Sequence, residues 1–351
     1  MKTVAVGLSG GVDSSVAALL LKERGFNVVG ITMKLWREGR YRGGSRDACF
    51  GAGEAEDIES ARALAEKLGI EYRVFDVSDE YNDTIVAYFR ETYLSGKTPN
   101  PCVRCNQMMK FGLLPRLARE AGLDFDFFAT GHYARVEAGA DGRMHLKRAL
   151  DKSKDQSYFL YRLSQEQLKG QIFPLGGMTK AEVRAKAREC GLGAAERPDS
   201  QDFYSGEIGE LIGAVERPGT IVDMAGKVVG HHNGFWHYTV GQRKGLGIAS
   251  PEPYYVVDLD ACRNRVVVGR LSDASRTSLK VEDMNWVSAA PTIERIPVTV
   301  KVRSAGNPRG PAWLENGVCT FEEGIHGVAP GQSAVFYSPD GEEILAGGII
   351  A

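Results

Sequence analysis

The sequence contains no run of about 18 consecutive apolar residues, the length a helix needs to cross a bilayer, so no membrane span is expected. Residues 1–15 lack a hydrophobic region of signal-peptide length and a small-residue cleavage site. Excess charge of either sign is also missing. The formal net charge is -2, so any nucleic-acid surface must be local. There is no internal repeat and no low-complexity tract. Cysteine is sparse, at six in 351 residues. Without a secretion signal, Cys49, Cys102, Cys105, Cys190, Cys262 and Cys319 are expected to be thiols rather than a disulfide framework, and the chain is expected in the cytoplasm. A chain this long buries most of its unfolded surface and needs no disulfide or metal to hold a core.

What is present is a strand-helix alternation over the first two hundred residues. Apolar runs at 3–8, 27–33, 71–77 and 126–130 predict buried strands. Helical spacing of Val16, Leu19 and Leu20 predicts a helix over 13–24. Ile58, Ala61, Leu64 and Leu68 predict another over 54–68, and further helices are predicted at 85–94 and 110–121. This alternation implies a doubly wound parallel sheet, with ligands at the carboxyl ends of its strands near a switch in strand order. Residues 36–53 are rich in Gly and Arg without periodicity and predict a lid loop. Residues 95–104, with Pro99 and Pro101, predict a second irregular stretch. After about residue 205 short alternating runs replace helices. The expected organisation is an α/β domain over 1–205, a small α+β domain over 206–275 and a β-barrel over 276–351.

The first chemical signal is Gly7-Leu8-Ser9-Gly10-Gly11-Val12-Asp13-Ser14-Ser15, between a predicted strand and a predicted helix. Adjacent glycines let the backbone aim N–H groups at an anion, and the helix N-terminus adds partial positive charge. No lysine follows as in a Walker loop, and the spacing is not that of a dinucleotide site. Asp13 would repel a bare phosphate, but suits a loop that also holds Mg²⁺.

The second signal is Cys102-Val103-Arg104-Cys105 within Pro99–Asn106. Such a pair can be a zinc half-site, a redox pair or a cluster half-site. A structural zinc needs a second pair, and His232 and His237 lie far along the chain. A reactive pair is the better reading, because Cys105 reads as preceding a helix, where the dipole lowers a thiol pKa, with Arg104 and Lys110 adding positive charge.

The loop at 7–15 resembles the signature of the PP-loop ATP pyrophosphatases, which cleave ATP between the α- and β-phosphates. That resemblance implies ATP contacts from Gly7 to Ser14, with Met33 bordering the adenine and Gly131 lining the nucleotide. Taken with Pro99–Asn106, Lys110-Phe111, Ala129–Arg135, Lys154–Tyr161, Pro198–Phe203 and His237–Ile248, the chain resembles the tRNA-specific 2-thiouridylases nearly end to end. Family chemistry implies that ATP adenylates the wobble-uridine C2 oxygen and a cysteine-borne persulfide delivers sulfur. The implied partners are tRNA and an external sulfur donor, with no membrane. The resemblance places the nucleophile at Cys105 and tRNA contacts at His132, Lys154, Asp155, Gln156, Arg303 and Gln332. Arg243, in a loop near a predicted domain junction, joins them by its charge. Residues 263–309 carry nine Lys or Arg against four acids, a local excess suited to RNA phosphates.

Two departures matter. Cys102 stands where many relatives have Asp, and Tyr204 stands where the familiar pattern has the persulfide-accepting cysteine. A phenol cannot carry a sulfane sulfur. Three repairs stay open: Cys102 partners Cys105, Cys49 swings in, or Cys102, Cys105 and Cys49 hold a [4Fe-4S] cluster. Two other functions also stay open, a PP-loop ligase or amidotransferase-type enzyme acting on a small molecule, and a non-catalytic tRNA-binding iron–sulfur protein.

Overall fold

The computed structural model describes residues 1–42, 48–193 and 202–351. Ser200 and Gln201, part of one of the matching blocks, lie outside the described residues. Two compact units divide the chain. Residues 1–83, 102–206 and 342–344 form the first, and 84–101, 207–341 and 345–351 form the second.

The strands of the first unit are β1 (Thr3–Gly7), β2 (Asn27–Lys34), β3 (Ala48–Phe50), β4 (Glu71–Asp76), β5 (Phe127–Ala129), β6 (Ala134–Ala138), β7 (Met144–Arg148), β8 (Gln171–Ile172) and β9 (Asp202–Tyr204). Five of them make a parallel sheet in the order β4-β2-β1-β5-β8. β1 takes the centre because Val4, Ala5 and Val6 are apolar at successive positions, as a strand covered on both faces requires. The chain builds outward from β1 through β2 to β4, then crosses to β5 on the other side of β1. The order therefore switches between β1 and β5. Helix α1 (Val12–Glu23) buries Val12, Val16, Ala17 and Leu21 in a core shared with Val183 and Ala187 of helix Lys180–Glu189. Helix α2 (Glu54–Leu68) is tied to the end of β2 through its first residue. The Glu54 carboxylate accepts the Leu35 and Trp36 N–H groups at 2.7 and 2.8 Å.

The predicted loop over 36–53 contains β3, which pairs in parallel with β9 so that Phe50 lies opposite Tyr204. Aromatic packing orders β3, a force that leaves no periodicity in sequence. The Phe50 ring centroid lies 5.1 Å from Trp36, 5.8 Å from Tyr41, 5.1 Å from Tyr81, 6.0 Å from Phe203 and 6.1 Å from Tyr204. The irregular stretch predicted at 95–104 also ends early, because Pro101–Cys105 is helical. Proline is pre-organised for a first helical position and gives up no needed N–H there. The winding continues as a π-helix over Asn106–Leu113 and an α-helix over Leu114–Glu120.

In the second unit β10 (Gly219–Asp223), β11 (Val228–His232), β12 (Tyr255–Asp260) and β13 (Arg265–Gly269) form a sheet in the order β11-β10-β13-β12. Then β14 (Ser275–Trp286), β15 (Ile296–Lys301), β16 (Arg309–Glu315), β17 (Val318–His326), β18 (Ser333–Tyr337) and β19 (Ile344–Ile350) close a barrel in the order β14-β17-β16-β15-β18-β19. Closure leaves no unpaired edge around a core that includes Val298, Val300, Phe336 and Ala346. The α/β unit and the C-terminal barrel are the architecture that the sequence pattern predicts. Among the described residues no helix is long and apolar enough to cross a membrane.

One buried ion pair fixes the connection after β7. Arg148 Nε lies 3.0 Å from Asp155 Oδ2, with side chains only 6% and 1% exposed. The Ala149 and Ser157 N–H groups also donate to Asp155, at 3.1 and 3.2 Å. Removing one partner strands the other charge in the interior. Arg148→Ala should therefore lower stability by about 3 kcal/mol, seen as a lower urea midpoint at unchanged slope. A wild-type midpoint would show that Asp155 is satisfied without Arg148.

Candidate functional site

The phosphate-type loop leaves the sheet at the switch point. Gly10 has φ +73°, and a Cβ on it would lie 2.4 Å from the Asp57 carbonyl oxygen, so only glycine fits. Gly11 caps α1 with no side-chain hydrogen bond, which leaves the helix N-terminus a backbone anion site. Ser14 Oγ accepts the Ser9 N–H at 3.2 Å, and Ser15 Oγ donates to the Gly11 carbonyl at 2.8 Å. Leu8 and Val12 are buried, and the Leu8 carbonyl accepts the Thr32 hydroxyl at 2.7 Å. Gly7 closes β1 against β5, its missing Cβ facing the Phe128 ring at 3.5 Å. Met33 is half-buried near the end of β2, opposite Phe75. Gly131 follows β5 and lies against the start of α1, where a Cβ would come within 2.7 Å of the Asp13 and Ser14 backbone.

Asp13 carries a feature that sequence reasoning missed. Lys180 Nζ lies 2.8 Å from both carboxylate oxygens, and the Tyr133 hydroxyl donates to Oδ1 at 2.8 Å. Lys180 is placed by a capping box at Thr179, whose N–H donates to Glu182 Oε2 at 2.7 Å. The box itself is readable in the sequence, but a lysine at a first helical position reads as solvent-facing. Tyr133 is in turn held by Gln156. The Tyr133 N–H donates to Gln156 Oε1 at 2.9 Å, and the Gln156 N–H donates to the Tyr133 carbonyl at 2.8 Å.

The thiol site differs from the sequence reading in one respect. Cys105 ends helix Pro101–Cys105 and is followed at once by the π-helix Asn106–Leu113, so it lies inside continuous winding rather than at a free helix N-terminus. Burial pushes its thiol up to about 11, against the lowering influence of the Lys110 charge. Burial thus outweighs the nearby positive charge and favours the protonated thiol. The Tyr81 hydroxyl hydrogen-bonds Cys105, and Cys49, Cys102 and Cys105 all lie within electrostatic reach of that hydroxyl. His132 stands between Phe111 and Phe173, with ring centroids at 5.6 and 6.2 Å, and its Nδ1 is 2.7 Å from the Thr130 hydroxyl. Burial and the Lys110 charge hold its pKa well below the usual histidine range, so the ring is neutral.

The residues expected to meet RNA divide into two kinds. Asp155 is buried in its ion pair and cannot face a ligand, and Gln156 spends its amide oxygen on Tyr133. Lys154 is partly exposed beside them. In the second unit Arg243 lines a pocket with Leu246, Ile248, Glu252 and Tyr254. Arg303 and Arg309 line another with Lys301, Asn307 and His326. Part of the basic excess is already neutralised, since Arg263 and Arg265 pair with Asp260 at 3.1 and 2.9 Å. Gln332 Nε2 donates to the Pro99 carbonyl at 2.9 Å, so its amide holds the turn before Pro101.

The raised Cys105 thiol yields a kinetic expectation. Iodoacetamide attacks the thiolate, so Cys105 alkylation at pH 8 should run roughly a hundredfold slower than that of an ordinary thiol and rise about tenfold per pH unit. Quantitative peptide mapping reads this, and a plateau by pH 9 would contradict the assignment.

Three family models match the chain: a tRNA methyl transferase HUP domain over residues 2–204, a tRNA methyl transferase PRC-barrel domain over 211–270 and an aminomethyltransferase β-barrel domain over 276–350. The chain is 43% identical to the tRNA-specific 2-thiouridylase MnmA of Endomicrobium trichonymphae, covering 99% of this chain and 98% of that one. It is 47% identical to the protein of the same name from Methylobacterium radiotolerans, over 99% and 93% of the two chains. With that of Geobacter metallireducens the identity is 45%, over 99% and 96%. Relatives this similar along their whole length establish that the chain belongs to the tRNA-specific 2-thiouridylase family.

Proposed function

We propose that this chain is a cytoplasmic tRNA 2-thiouridylase. It uses ATP to adenylate the C2 oxygen of the wobble uridine and replaces that oxygen with sulfur, releasing AMP and pyrophosphate. The observation that carries this reading is the presence in one compact unit of both halves of the chemistry. These are the glycine loop with its Asp13–Lys180 pair, and the pocket of thiols around Tyr81. The division of labour we propose is a catalytic domain over 1–205, a small RNA-contacting domain over 206–275 and a barrel over 276–351.

The residues do separable jobs. Gly10, Gly11 and the α1 N-terminus hold the phosphates through backbone N–H groups. Asp13, Ser9 and Ser14 offer the all-oxygen donor set that Mg²⁺ takes, and the ion would there neutralise phosphate charge. Lys180 supplies a positive charge that fits the pyrophosphate as it leaves. Tyr133, steadied by Gln156, keeps the Asp13 carboxylate aimed. Cys105 is a sulfur-handling thiol, with Tyr81 as hydrogen-bond partner and Lys110 as nearby cation. Cys102 shares its helix. A [4Fe-4S] cluster needs three ligands grouped around it. Among the described residues no three His, Cys, Asp or Glu side chains are grouped to hold a metal ion. No step here runs through a cluster.

For RNA, Arg243, Arg303 and Arg309 offer phosphate contacts and Lys154 a further cation, while the target base is flipped to the ATP site. The sulfur donor is external, a cysteine-desulfurase-derived persulfide or sulfide.

Pyrophosphate release under anaerobic conditions tests the reading. Release should require unmodified tRNA and fall roughly a hundredfold in Lys180→Ala, the scale of losing one preorganised charge at a reacting group. Release without tRNA would assign a small-molecule ligase, and no release with tRNA still bound would assign a non-catalytic RNA-binding protein. Arg243→Glu should weaken tRNA binding and spare ATP binding, and equal tRNA affinity in a filter assay would remove Arg243 from the interface.

A further inference from the structure

Tyr204 leaves the sulfur chemistry of this chain one thiol short, and the strand beside it carries a replacement. β3 and β9 pair in parallel, with Phe50 opposite Tyr204. Cys49 therefore lies one residue from the direct cross-strand neighbour of Tyr204, and paired strands stand about 4.8 Å apart. Side chains alternate faces along a strand, so Cys49 points away from the face that Phe50 and Tyr204 share, and it lies within electrostatic reach of both Cys105 and the Tyr81 hydroxyl.

The surroundings fix that strand toward Cys105. Phe50 is buried and its ring lies 5.1 Å from the Tyr81 ring, while the Tyr81 hydroxyl is hydrogen-bonded to Cys105. Tyr204 itself packs on Phe50 at 6.1 Å, which helps to seat the strand that carries Cys49. Cys49 is exposed where Cys105 is not, which suits it to meet a persulfide on an external donor.

The alternative partner, Cys102, is less well placed. It lies three residues before Cys105 on one helix. Side chains at that spacing have Cβ atoms about 5–6 Å apart, and a disulfide holds them at about 3.8 Å. Joining them would need the two Cβ atoms to close by about 2 Å.

We propose that Cys49 is the persulfide-bearing thiol of this enzyme and Cys105 the thiol that resolves it. The proposal rests on the thiouridylase reading above. The Cys49 thiolate attacks the terminal sulfur of a donor persulfide, the donor S–S bond breaks, and the donor leaves as a thiolate. The terminal sulfur of the Cys49 persulfide, having lost its proton to solvent, attacks C2 of the adenylated uridine, and AMP leaves with the former C2 oxygen. The Cys105 thiolate then attacks Cys49 Sγ. The bond between Cys49 Sγ and the transferred sulfur breaks, and its electron pair goes to that sulfur, giving 2-thiouridine. Cys49 and Cys105 end as a disulfide, each oxidised by one electron, and the transferred sulfur gains those two electrons. A dithiol reductant reopens the disulfide for the next turnover.

Two measurements test the assignment. The first oxidises the full-length reduced protein with one equivalent of diamide and maps disulfides by peptide mass. A Cys49–Cys105 bond should dominate. A dominant Cys102–Cys105 bond, or none within the chain, overturns the proposal. The second supplies ATP, unmodified tRNA, glutathione persulfide and dithiothreitol. Cys49→Ser should lose roughly a hundredfold or more of 2-thiouridine formation, as removal of a covalent carrier does, while tRNA-dependent pyrophosphate release continues. Cys262→Ser, at an exposed cysteine in the other unit, should match wild type. Undiminished thiolation in Cys49→Ser overturns the proposal, and so does joint loss of thiolation and pyrophosphate release. If wild type releases pyrophosphate without tRNA, the thiouridylase reading fails instead, and disulfide mapping alone decides the thiol pair.

Discussion

The burial of β1 between β2 and β5 is the constraint on which the rest depends. A strand with Val4, Ala5 and Val6 fully enclosed can end only by sending its chain off the carboxyl edge of the sheet. The glycine loop leaves from that edge, and the Thr130–Tyr133 turn leaves from the neighbouring end of β5. Both arrive at one place because strand order reverses there. Contact between the two is then forced, and Gly131 has no side chain because the α1 backbone occupies that space. The Asp13, Tyr133 and Lys180 contacts follow from this junction, as each residue lies on an element packed against it.

Much of this was legible in the sequence. Enclosed strands advertise themselves by continuous apolar runs, and α2 shows its buried face through Ile58, Ala61, Leu64 and Leu68, so its bounds of Glu54 and Leu68 could be read directly. Contacts between residues far apart in the chain were not legible. Lys180 meets Asp13 across 167 positions, and nothing local to either residue signals it. β3 was hidden for a related reason. Three residues are too few for a period, and what orders them is a set of five rings from three other stretches of chain. Asp155 shows the opposite error. Its place in a charged, polar run reads as a surface contact, yet its partner is a buried arginine seven residues earlier.

The thiol pocket illustrates how position outweighs composition. Arg104 and Lys110 sit in sequence near Cys105 and imply an activated thiolate, but burial moves the thiol the other way. In the second unit the Pro99–Pro101 turn is likewise set from a distance, by Gln332 and by the Pro330 carbonyl, which accepts the Thr98 N–H at 2.8 Å.

The Lys180–Asp13 pair has a consequence for which form of nucleotide the loop accepts. Without nucleotide the loop's one carboxylate is matched by an internal counter-ion, so the cradle is close to self-neutral. Free ATP offers only negative charge. To draw Lys180 onto its phosphates it would leave Asp13 facing them with no cation between. Asp13 would be the residue to hold a divalent ion arriving with a nucleotide, and the ion would supply the positive charge that Lys180 supplies in its absence. The pair thus sets a charge balance in the loop that any entering anion has to meet.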